Sequence, residues 1–181
     1  RPGFPDDWDK ASVSTPDINY RFTRKEDTDT YHITQRFQTP LHPVLHVNAR
    51  KEKIRSVKVN GVPATWQSIE SAHGYPLLSI QAEGTSSTTI TIEWEGAPLH
   101  TLAVQEPLIT SNGKLALQIP SGASISQVYD PQSILANHTV EATAFNAQIK
   151  GEPGHHTFFV YTHQGEMDWW QPVNIYIENV R

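Results

Sequence analysis

Residues 88–95 read TTITIEWE, and their alternation decides the fold class. Ile90, Ile92 and Trp94 fall on one side of an extended chain, and Thr89, Thr91, Glu93 and Glu95 fall on the other. A strand built this way buries one face and wets the other. That is the habit of antiparallel sheets, since strands of a parallel α/β core are apolar on both faces.

The same two-residue period recurs on either side. Val57 and Val59 alternate with Ser56 and Lys58 before Asn60-Gly61, the pair best suited to a two-residue hairpin turn. Leu78, Ile80 and Ala82 form another set, as do Leu115, Leu117 and Ile119 after Asn112-Gly113. Leu102 with Val104, and Leu45 with Val47 beyond the break at Pro40 and Pro43, are shorter examples. Residues 18–22 and 31–37 read as a hairpin joined by the charged turn RKEDTDT. In residues 139–150 the inward phase changes, from Val140, Ala142 and Ala144 to Phe145, Ala147 and Ile149. A bulge near Ala144 and Phe145, or a strand passing between sheets, would reconcile the two. No window carries the spacing of an amphipathic helix, and one helical turn is expected over 133–137. The expected fold is all-β, an antiparallel β-sandwich of jelly-roll type over residues 18–181. A subdivision into two stacked halves is placed near 96–105, at Gly96-Ala97-Pro98. Residues 1–17 are expected as an extended lead-in anchored by Trp8.

A chain of 181 residues is long enough to bury a core without disulfides, and it has no cysteine to make one. That also removes a thiolate zinc site and a cysteine nucleophile. The net charge of -5 argues against a nucleic-acid partner. No apolar run approaches the roughly 20 residues of a membrane span. The only methionine is Met167, so a processed protein or a piece of a longer one is expected, the latter preferred.

Chemistry-bearing motifs are scarce. Asp27 and Asp29 share the opening spacing of a calcium loop, but the glycine and distal glutamate of that loop are missing, which leaves a solvated turn. No G-x-S-x-G elbow, phosphate loop or H-E-x-x-H array occurs, and no carboxylate pair is singled out by spacing, so no catalytic residue is assigned. His163, Glu166 and Asp168 crowd one turn near His155 and His156, where imidazole and carboxylate could hold an ion; solvated loop histidines are the preferred reading, and neither metal nor cofactor is expected.

The remaining candidate is the late hairpin, HHTFFVYTHQGEMDWWQPVNIYIE over 155–178. Two strands, 157–163 and 173–178, flank Gly165, the pair Trp169-Trp170 and Pro172. Sugars present C–H patches to flat rings while amides and carboxylates bond their hydroxyls, so Trp169, Trp170, Tyr161, Asp168 and Gln171 form a candidate carbohydrate platform. Adjacent strand residues point to opposite faces, so packing beneath the loop or contact with a neighbouring domain competes with sugar binding for each tryptophan.

Three segments, VKVNGVPATW (57–66), YDPQSIL (129–135) and GHHTFFVYTHQGEMDWWQPVNIYIE (154–178), resemble β-sandwich accessory domains of large gut-bacterial, Bacteroides-type polysaccharide-degrading proteins. Gly154, Phe158, Gly165, Trp169, Trp170 and Pro172 match as structural positions. The resemblance implies a periplasmic or cell-surface setting, a carbohydrate context, and an active site on a helical glycosidase domain elsewhere in the parent protein. The leading expectation is therefore a non-catalytic accessory domain with a structural or docking role, its partner a carbohydrate or that helical domain. A carbohydrate-binding module is the alternative, and a stand-alone glycan-active or metal-dependent enzyme using His155, His163, Glu166 and Asp168 is a third.

Overall fold

The computed structural model describes residues 8–102 and 106–178. Among them every regular element is a strand, and the chain divides after Pro98 into two compact units.

The first unit comprises residues 1–69 and 77–98. Its strands are β1 (Lys10–Ser14), β2 (Ile18–Lys25), β3 (Thr28–Gln35), β4 (Val44–Asn48), β5 (Lys51–Val59), β6 (Val62–Pro63), β7 (Gln67–Ser68), β8 (Leu77–Gln81) and β9 (Ser87–Pro98). They form an antiparallel sheet in the order β1-β2-β3-β9-β5-β6 and a second in the order β4-β8-β7. The alternation of 88–95 is realised in β9, where Ile90, Ile92 and Trp94 are buried and sit between β3 and β5.

Two expectations are corrected here. Residues 10–14 of the lead-in are an edge strand, pairing antiparallel with β2 from Lys10↔Thr23 to Ser14↔Asn19, and Trp8 before them is half exposed. The charged turn is also shorter than RKEDTDT. Lys25 pairs with Thr28, so only Glu26 and Asp27 turn the chain, and Asp29 lies inside β3 at 1% exposure.

Asn60 and Gly61 make the hairpin turn between β5 and β6 with φ of 52° and 80°, as a two-residue turn of primed type requires. Nothing lies within 4 Å of a Cβ built on Gly61, so only the backbone resists a side chain. Gly61→Ala should cost about 1 kcal/mol and lower the melting temperature by roughly 4–8 °C, as read by circular dichroism.

The second unit comprises residues 70–76 and 99–181. Its strands are β10 (Leu108–Thr110), β11 (Lys114–Gln118), β12 (Ala123–Tyr129), β13 (Leu135–Val140), β14 (Ala144–Ile149), β15 (Gly154–Gln164) and β16 (Met167–Glu178). One sheet runs β10-β16-β15-β12 and the other β11-β14-β13. All pairs are antiparallel except β10 with β16. The core cluster draws Phe158, Val160, Val173, Ile175 and Ile177 from the first sheet and Leu115, Phe145, Ala147 and Ile149 from the second. The unit is therefore a β-sandwich. With its first strand joined to its last, the four-and-three order is that of immunoglobulin-type sandwiches.

The phase change in 139–150 is a hairpin rather than a bulge: Val140 pairs with Phe145, and residues 141–143 turn the chain. The helical turn expected over 133–137 is absent, because Leu135–Val140 is strand β13. Val104 lies outside the described residues, while Leu102 is buried in the core cluster.

Candidate functional site

The late hairpin folds more tightly than its sequence suggests. Gly165, at φ 62°, turns the chain in two residues, so Gln164 pairs with Met167 and the strands run on through the tryptophans. Trp169 and Trp170 thus lie within β16, not at a loop mouth. The period of two then separates them. Met167, Trp169, Gln171 and Val173 point inward with Phe158, Val160, Thr162 and Gln164, while Asp168, Trp170 and Pro172 point outward with Phe159, Tyr161 and His163.

This corrects two of the five candidate platform residues. Trp169 is 0% exposed and Gln171 4%, so neither can meet a ligand on the surface. Gln171 Nε2 donates to the Leu102 carbonyl at 2.9 Å. Trp169 Nε1 finds no acceptor among the described residues. Trp170, Tyr161 and Asp168 share the outer face.

The structure adds three rings that the sequence did not single out. Phe159 lies on the outer face two residues before Tyr161. Tyr129, 58% exposed, arrives there because β12 has a register shift between Ile125 and Gln127. Without that bulge, Gln127 and Tyr129 would share the inward parity of Ile125; with it, they stand opposite Tyr161 and Phe159. His73 comes from residues 70–76, which run beside β16 at Trp170, on the side where β10 pairs only with Tyr176, Ile177 and Glu178. Trp170 N donates to the Ala72 carbonyl at 2.9 Å, and Gly74 N donates to the Trp170 carbonyl at 2.8 Å.

The rings form a continuous chain of contacts. Centroids are 4.9 Å apart for Tyr161–Trp170, 6.4 Å for Trp170–Tyr129, 6.2 Å for Tyr129–Phe159 and 5.8 Å for Phe159–His73. Only Tyr129 and Phe159 approach parallel, at 30°; Trp170 is inclined by 54° and 70° to its neighbours. At the turn end of this face the His163 and Asp168 side chains pair at 2.7 Å. Partial desolvation raises the Tyr161 hydroxyl above its ordinary pKa, with the carboxylates of Asp168 and Glu70 adding to the shift.

The possible ion cluster is not assembled. His155 and His163 occupy opposite ends of β15, and His155 pairs with Glu106 and stands edge-on to Tyr176. Among the described residues no three His, Asp or Glu side chains converge in a way that could hold a metal. On the outer face of the other sheet is a hollow of about 350 Å³ lined by Lys114, Ala116, Asn137, Thr139, Asn146 and Gln148 over Leu115 and Ala147, with no aromatic ring in its lining. No described helix is long and apolar enough to cross a membrane.

No protein-family model and no curated protein matches this chain. Among solved structures, the tandem Ig repeats of Dlar are similar at 10% identity over 84% of this chain and 90% of that one, with a TM-score of 0.31. The N-terminal periplasmic domain of ScsB from Proteus mirabilis is similar at 8% identity over 92% and 98%, with a TM-score of 0.22. Neither superposition is close enough for any residue to be read across from it.

Proposed function

We propose that this chain is a non-catalytic β-sandwich region of a bacterial glycan-degrading protein, periplasmic or on the cell surface, and that its second unit binds carbohydrate on the outer face of β12-β15-β16. One observation carries the reading: Trp170, Tyr161, Tyr129, Phe159 and His73 form an unbroken run of rings on a face that a soluble sandwich ordinarily fills with polar side chains. Apolar sugar faces stack on such rings, and the Tyr129 and Tyr161 hydroxyls with the Asp168 carboxylate supply partners for sugar hydroxyls.

Affinity electrophoresis of the whole chain through gels containing soluble glucans, mannans, xylans and galactans tests this. At least one glycan should retard the protein, and Tyr129→Ala should weaken that binding about tenfold with the fold unchanged by circular dichroism. If no glycan retards the protein, and Tyr129→Ala instead releases a helical glycosidase domain supplied in trans, the face is a docking surface and carbohydrate binding is excluded.

A further inference from the structure

We infer that the ring face selects uncharged glycans over carboxylated ones, an inference that rests on the carbohydrate-binding function proposed above. The charges of the second unit are one-sided. Only Lys114, Lys150 and Arg181 of the chain's 14 Lys and Arg belong to it, against eight of the 19 Asp and Glu, so the net charge of -5 resides entirely in this unit. Lys114 lies on β11 of the opposite sheet, and Lys150 directly follows β14 of that sheet. The four strands of the ring-bearing sheet contain no Lys or Arg.

The acidic groups, by contrast, edge the rings. Asp168 is on the outer face two residues before Trp170, and Glu70 lies two residues before Ala72, whose carbonyl accepts from Trp170 N; both carboxylates raise the pKa of the Tyr161 hydroxyl. His163, the imidazole beside them, is already engaged by Asp168. A sugar carboxylate placed over Tyr161 or Trp170 would meet two like charges and no countercharge from the sheet. At separations of about 6 to 8 Å in a water-like dielectric, that amounts to about a tenfold loss of affinity at low salt. The loss should shrink once the screening length falls below those separations. A neutral hydroxyl in the same place meets two acceptors instead.

The test compares dextran, xylan, mannan and cello-oligosaccharides with the carboxymethylated form of each. Titrations of the whole chain would be run at low salt and at about 0.3 M. The neutral member of a bound pair should bind about tenfold more tightly at low salt, with a smaller ratio at high salt. Glu70→Gln with Asp168→Asn should close the gap, and Glu141→Gln, in the turn before β14, should leave it open. Equal or tighter binding of the carboxymethylated forms overturns the selectivity and leaves the binding function standing. A gap that persists in the double variant also overturns it, because these carboxylates would not be its cause. Failure of every neutral and charged glycan to bind removes the function and the selectivity together.

Discussion

Asp29→Ala is expected to unfold the first unit or leave it barely stable. The Asp29 carboxylate is buried and receives Arg24 Nε at 3.0 Å, Arg50 Nη1 at 2.9 Å and Trp94 Nε1 at 3.1 Å. It ties β3 to β2, to the Ala49-Arg50 connector before β5, and to the centre of β9. Truncation strands the Trp94 indole N–H, 1% exposed with its ring, and removes the countercharge of two arginines that are largely covered. Breaking a buried pair from one side costs about 3–5 kcal/mol, which for a domain of this size lowers the melting temperature by at least roughly 12 °C. Asp29→Asn keeps one acceptor oxygen and should lose less. Urea unfolding followed by tryptophan fluorescence checks both; an Ala variant within about 0.5 kcal/mol of the wild type would show that the network contributes nothing.

Trp169→Ala and Trp170→Ala, neighbours in sequence, should have opposite consequences. Trp169 is fully enclosed, so its truncation should cost about 3–5 kcal/mol of stability through lost burial and the void left behind. Trp170 is half-buried on the outer face, and its truncation should cost about 1 kcal/mol or less while removing detectable glycan binding. Denaturant melts and glycan titrations on both variants separate the roles. A stable Trp169→Ala that no longer binds sugar, or a Trp170→Ala that binds normally, would reverse the assignment.

Much of the architecture is legible from alternation alone. β9, β14 and the two strands of the late hairpin follow directly from residues such as Ile90, Ile92, Phe145 and Ile175, because a period of two with one apolar face leaves little choice of register. What alternation misreads is polarity in unusual places. Asp29 looks like a turn residue because its neighbours are charged, yet long-range pairing of β3 with β9 buries it. The candidate site was legible in part: Trp170, Tyr161 and Asp168 do share the outer face, and the parity that excludes Trp169 was available from Val173 and Ile175. Phe159 carried the same signal. Tyr129 was hidden by a bulge that reverses its phase, and His73 by backbone bonds to a strand about a hundred residues later in the chain.

The proposed carbohydrate face is tested most directly by nitrogen-proton NMR of the five tryptophan indoles during titration with a neutral glycan. The Trp170 indole signal should shift in proportion to ligand, while those of Trp94, bonded to Asp29, and Trp169, enclosed in its unit, stay in place. A glycan that binds while the Trp170 signal stays fixed, or that moves only the Trp8 or Trp66 signal, would contradict the proposed face.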